Sequence, residues 1–367
     1  MPNLAPSHRR ISKGRRAAVV IVAGLTLAPL SACGSGGDNG TAASESGVDW
    51  NSLTIEQLYE GAKEEGKFVL YSGQGKDDLE VLSARFHEQY PGVEIEHFEQ
   101  VGEDSASKLT SEANAGVFTT DIIDTEQNTI YQLAQLDLLA EYTPPAAASF
   151  DNRLKKPWFT GHRIQIKPIT YNTQQISQAD APQNYDDLLN PKWNGKVCAE
   201  AAEVSVFADM LQQMGREQGI DYWKQLTANG IRFINGQTNL VESVIAGDCS
   251  IAVAANVHSV AKSAEKGAPI AWVKTDPLYA NYGALGVLDR APHPYAARLW
   301  MNYVLSDAGQ QSVADNYRIP VNPNVQPKQP ELAQGTFNMV LAGDDVMNNF
   351  ADYNKLYYEA TGRPIVG

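Results

Sequence analysis

Short apolar runs alternate with helix-forming stretches through most of this chain, and that rhythm restricts the folds open to it. Thr54-Ile55-Glu56-Gln57 reads as a capping box opening a helix that ends near Gly66. Phe68-Val69-Leu70-Tyr71 is a short buried strand, and Ser72-Gly73-Gln74-Gly75 is a turn. A helix with Leu79, Leu82 and Phe86 on one face follows, and Pro91-Gly92 stops it. Val93 to Phe98 alternates as a half-buried strand does. Strand signals recur at 121–124, 195–199, 231–234 and 251–255. Helix signals recur from about Asn128, from Ser205 to about Met214, and over 240–245. Such βα alternation predicts an α/β fold with parallel sheets covered by helices. In such folds ligands bind at the carboxyl ends of strands, so the strand-to-helix turns become the informative positions.

The first residues carry a separate message. Basic residues from His8-Arg9-Arg10 to Arg15-Arg16 precede an apolar core from Ala17 to Leu30. That core, about 14 residues, is short of the roughly 20 needed to span a bilayer. Leu30-Ser31-Ala32-Cys33 resembles the lipobox of bacterial lipoproteins. The resemblance implies a signal peptide over 1–32, a lipidated Cys33, and a flexible Gly/Ser linker over 33–47. It places the rest of the chain outside the cell, anchored to the outer face of the cytoplasmic membrane. The paired arginines leave the general and twin-arginine export routes both open.

The formal charge of the whole chain is −14, and every basic residue of the leader falls away on cleavage with no acid lost. The exported part is therefore more acidic still. It lacks the basic stripe that nucleic acid requires. About 320 residues remain after the linker, which suits two lobes. Besides Cys33 the chain has Cys198 and Cys249, each at a predicted strand. An even count in an oxidising compartment predicts a disulfide between them; two buried free thiols are the alternative.

Read in order, the turn motifs look like those of solute-binding proteins of ATP-binding-cassette (ABC) importers, with the type II periplasmic-binding-protein fold. The matching pieces include Tyr71-Ser72-Gly73-Gln74, Asp124-Thr125-Glu126-Gln127, Tyr171-Asn172-Thr173 and the run from Tyr185 to Lys196. They continue with Asp221 to Leu226, Ala246-Gly247-Asp248 and Pro320-Val321-Asn322-Pro323. The ferric-iron-binding subgroup is the most similar. The resemblance implies a two-lobed "Venus flytrap" of mixed, mainly parallel sheets, with crossing segments as a hinge. Lobe 1 would take 48–165 and 278–322; lobe 2 would take 166–277 and 323–367. It also implies a monomer that hands its solute to a permease and ATPase. A ligand-sensing receptor built from the same lobes is the alternative.

The ferric subgroup holds iron with a His, a Glu and two consecutive Tyr. Here Gly75 stands in the place of the His, Glu126 is retained, and Val257-His258 stand in the places of the tyrosines. Glu126 and His258 are thus the candidate metal ligands, with or without a synergistic anion. An organic or phosphorylated solute is the competing cargo, because helix N-termini suit anions. Ser72, Gly73, Gln74, Ser205, Gln237, Thr238 and Asn256 are candidate ligand contacts. Ser205 and Thr238 equally suit helix caps. Tyr279 and Tyr282 lie where the chain is expected to cross back, and suit either cleft lining or hinge packing. No Gly-x-Ser-x-Gly, His-Glu-x-x-His or Walker loop is present, so no enzyme is expected.

Overall fold

A computed structural model describes residues 47–100 and 102–364. The leader, the lipobox with Cys33, and the linker up to residue 46 lie outside the described residues. Among the described residues no helix is long and apolar enough to cross a membrane.

Local chemistry starts the elements where the sequence predicts. The side chain of Thr54 accepts from the N–H of Gln57, and the Gln57 side chain accepts from the N–H of Thr54, opening the helix Ile55–Glu65. Gly66 ends that helix in the left-handed conformation at φ 71°. The strand Lys67–Ser72 follows directly, buried from Phe68 onward. It pairs in parallel with Glu94–Glu99 on one side and Ile122–Glu126 on the other. Glu94–Glu99 is the edge of the larger sheet and is mostly exposed.

Two long buried strands complete the larger sheet, Phe159–Ile166 and Leu278–Val287. They run antiparallel to each other, and the chain passes to the smaller sheet between Ile166 and Ile169 and returns between Val273 and Leu278. Antiparallel pairs therefore take a larger share than mainly parallel sheets would give. The smaller sheet runs in the order 270–273, 169–172, 251–253, 197–200, 232–234. Its last three strands are parallel, as the βα alternation requires.

Each sheet has its own packed core. Phe68, Phe86, Trp300 and Tyr303 stack edge to face beneath the larger sheet. Phe207, Trp223 and Tyr357 do so beside the smaller one. Cys198 and Cys249 are joined, with Cα atoms 5.9 Å apart across 51 residues of sequence. Closing a loop of that length contributes about 4 kcal/mol on a chain-entropy basis.

The segment after residue 322, expected in lobe 2 as one piece, divides. Met339–Leu341 pairs with Leu278–Ala280, filling ladder positions that Ile122–Glu126, paired at 283–287, leaves uncovered. Phe350–Thr361 packs instead on the helices of the smaller sheet.

Candidate functional site

A cavity of about 550 Å³ lies where strand ends from both sheets meet, a volume typical of small-ligand sites. Glu126, Asn128, Gln165, Lys167 and Asn281 form its larger-sheet wall. Glu200–Ser205, Asn235, Gln237 and Asn256 form the opposite wall. Phe350, Asn354 and Tyr358 of the C-terminal helix, with Arg363 beyond it, close one side.

Beneath the first wall lies a sealed polar cluster. Asp124 is fully buried and accepts from Arg163 Nη1 at 2.6 Å, Gln74 Nε2 at 2.6 Å and Ser72 Oγ at 3.1 Å; His162 Nε2 lies 2.9 Å away. Burial alone would raise the pKa of Asp124. The charges and hydrogen bonds of Arg163 and His162 outweigh it and hold the carboxyl well below the usual range. Burial pushes the His162 imidazole down, against the pull of Asp124. A register shift opposite Gly283 and Ala284 makes His162 the extra residue of its strand, so two successive side chains reach one carboxylate. Gly283 is required beneath them, because a Cβ there would collide with the Arg163 guanidinium. The predicted contacts Ser72 and Gln74 are thus turned inward. Gly73 is exposed, and its N–H is taken by the Asp124 carbonyl at 3.2 Å. None of the three lines the cavity.

Glu126 projects two residues further along the same strand and is 41% exposed at its side chain. Gln165 Nε2 donates to both its oxygens at 2.8 and 2.9 Å, and Arg163 Nη2 lies 3.9 Å away.

Lys167 reaches across to the opposite wall and donates to Glu203 at 2.9 Å, both residues being buried. Burial raises the pKa of Glu203, and Lys167 opposes the shift. Lys167 also marks the crossing: its N–H donates to the Tyr279 carbonyl at 2.9 Å, and its carbonyl accepts from Tyr185 Oη at 3.1 Å. Gln237 Nε2 donates to the Ala254 carbonyl at 3.1 Å, and its Oε1 accepts from the N–H of Asn256 at 3.0 Å. Glu200 accepts from the N–H groups of Ala202 and Gly236 at 2.7 and 3.1 Å. The wall's own donors therefore engage Glu126, Glu200 and Glu203. The Oδ1 atoms of Asn256 and Asn281 are buried and have no hydrogen-bond partner among the described residues.

Three helices begin at this wall: Val204–Met214, Gln237–Ala246 and Val257–Glu265. Their free N–H groups and positive dipole ends favour an anion. Ser205 lines the cavity but caps nothing, because Glu203 occupies the N-cap place. Thr238 is exposed, lies off the cavity, and does not cap its helix either, because Gly236 occupies that place.

His258 is half-buried in the first turn of the third helix and does not line the cavity. Burial holds it well below the ordinary histidine value, and Arg318, Lys167, Arg163 and Lys262 push it further down. Arg318 itself is lowered by burial and then by Arg163, against the pull of Asp78, to which it donates at 3.2 Å. Its Nε has no partner among the described residues. Each cation around His258 has a carboxylate partner: Arg163 has Asp124, Lys167 has Glu203, and Arg318 and Lys262 have Asp78. Among the described residues no three His, Cys, Asp or Glu side chains converge as a metal-binding group.

Tyr279 packs edge to face on Tyr185, with ring centroids 5.0 Å apart, and Tyr282 is buried beside Tyr131. Neither lines the cavity, because on their strand Asn281 does. The sequence reading did not single out Arg163, Gln165, Lys167, Glu203 or Arg363. Arg163 and Gln165 lie in the stretch Phe159-Thr-Gly-His-Arg-Ile-Gln-Ile, too polar to read as a buried strand, and Lys167 follows it directly.

Residues 82–338 match the profile of a family described as bacterial extracellular solute-binding protein. Iron uptake protein A2 of Synechocystis is 24% identical over 261 residues, covering 65% of this chain and 71% of that protein. The iron-bound structure of HitA from Pseudomonas aeruginosa superposes with a TM-score of 0.72 at 19% identity, covering 80% of this chain and 99% of HitA. AfuA from Actinobacillus pleuropneumoniae, solved with fructose-6-phosphate, gives 0.70 at 18% identity, covering 82% and 98%. At these identities the two structures establish the fold alone.

Proposed function

Because this chain belongs to the bacterial extracellular solute-binding protein family, we propose that it captures a small organic anion in the cleft and delivers it to a membrane permease. The observation that carries this reading is the meeting of three helix N-termini at the cavity, with Lys167 and Arg363 in its lining. A trivalent metal ion is poorly served there. Asn235, Gln237, Asn256 and Asn281 bring carboxamides to the same lining, which suits the hydroxyl groups of a phosphorylated or carboxylated polyol. Lys167 stands at the crossing between lobes, so a ligand that engages it couples binding to closure. Lipidation at Cys33 keeps the receptor at the outer membrane face, near its permease and ATPase.

The test is a thermal-shift comparison of the exported protein, purified in mild detergent. Fructose-6-phosphate, citrate, inorganic phosphate, ferric citrate, ferric chloride and putrescine are the probes. A bound organic anion at about 100 times its Kd stabilises by about 2.7 kcal/mol, read as a rise in Tm. Arg363→Gln, a change in the cavity lining, is expected to reduce that rise. A response confined to the ferric salts and lost in Glu126→Ala overturns the proposal in favour of iron. A response to putrescine alone overturns it in favour of a cation.

A further inference from the structure

The charges that line the cleft are not all matched. Two cations, Lys167 and Arg363, share the lining with three carboxylates, Glu126, Glu200 and Glu203. Lys167 is committed to Glu203 at 2.9 Å. Glu200 is served by the backbone N–H groups of Ala202 and Gly236. Arg363 and Glu126 are left.

Arg363 is half-buried and has no carboxylate within ion-pair distance among the described residues. Its guanidinium lies 4.2 Å from the ring of Phe233 and 5.1 Å from that of Tyr358, and its Nη1 donates to the Ala201 carbonyl at 2.8 Å. A guanidinium carries several further N–H donors, so a held arginine in a cavity lining is a site for a phosphate or carboxylate.

Glu126 stands on the larger-sheet wall with its side chain 41% exposed. One amide, Gln165 Nε2, serves both its oxygens. The nearest cation, Arg163 at 3.9 Å, is committed to Asp124 at 2.6 Å. Glu126 therefore has acceptor capacity to spare, and it opposes any ligand that brings negative charge alone into the same cavity. A metal ion beside the anion would answer it, but that needs further ligands. Among the described residues no three His, Cys, Asp or Glu side chains converge to supply them. A protonated amine needs only acceptors, and Asn128 brings a carboxamide to the same wall.

We infer, resting on the reading of the cleft as an organic-anion site, that its ligand is a zwitterion. Arg363 takes its phosphate or carboxylate, and Glu126 takes its protonated amine. An amino-sugar phosphate is the class that also keeps the hydroxyl groups of a polyol.

Calorimetry on the whole exported protein in mild detergent tests this with two matched pairs of probes. Glucosamine-6-phosphate is set against glucose-6-phosphate, and phosphoethanolamine against ethyl phosphate. At least one amine is expected to bind about tenfold more tightly than its amine-free partner. Glu126→Gln should remove that preference and leave the amine-free partner bound at least as well. Arg363→Gln should weaken both members of the pair about equally. Both side chains are partly exposed, so the variants should stay folded, which their Tm checks. Equal affinity within both pairs overturns the inference and leaves the organic-anion reading standing. A preference that survives Glu126→Gln, or binding untouched by Arg363→Gln, overturns it too. Binding of none of the four probes also overturns it, and citrate in the thermal-shift comparison then decides whether the anion reading falls with it.

Discussion

Asp124 and Glu126 leave the same strand two residues apart and share Arg163, yet they occupy opposite regimes. Asp124 is saturated by buried donors and is closed to solvent. Glu126 is held by one amide and opens on the cavity. The difference teaches that a carboxylate at a strand end can be either foundation or contact surface. The donors from neighbouring strands decide which.

Three measurements break or sharpen that comparison. The largest effect belongs to Asp124→Asn, which leaves the Arg163 guanidinium buried without its countercharge. We expect a loss of about 3–5 kcal/mol in denaturant unfolding. A loss under about 1 kcal/mol would show that Glu126 can replace Asp124 as the partner, erasing the distinction.

The second is acid sensitivity. The folded pKa of Asp124 is depressed, so on acidification the unfolded chain takes up the proton first. Its stabilisation is therefore complete above the ordinary aspartate value of 3.8 and is lost as pH falls below it. The wild-type unfolding midpoint should drop below about pH 4, and Asp124→Asn should show a shallower drop. Equal slopes would place the acid-sensitive group elsewhere.

The smallest is Glu126→Gln. Its exposed side chain limits the stability change to about 1 kcal/mol or less. Removing its charge should tighten an organic anion, measured by calorimetry. Weaker binding would make Glu126 a ligand contact in its own right.

Much of the first region was legible in the sequence only as a set of positions. The capping box at Thr54, the turn at Ser72-Gly73-Gln74, the start of the helix near Ser205 and the Cys198–Cys249 pair follow from local chemistry or residue count. The destinations of the side chains do not. Gln74 and Ser72 face inward because Asp124, some 50 residues later, recruits them. Arg163 and Gln165 escape a local reading because a strand buried on both faces, interrupted at His162 and rich in polar residues, lacks the apolar alternation that marks a strand. Arg363 and Tyr358 reach the cavity from the far end of the chain, a closure no local pattern encodes.

The edge strand Glu94–Glu99 has a consequence for crowding. A sheet edge offers unpaired backbone groups to any passing strand, and the most abundant candidate is the same strand on another copy. Here Glu94, Glu96 and Glu99 occupy exposed or half-exposed places along it. Two such edges in register would set carboxylates against carboxylates, a pairing that like charges oppose. The open flank of the larger sheet is thereby protected from polymerising with its own copies, even at high local concentration.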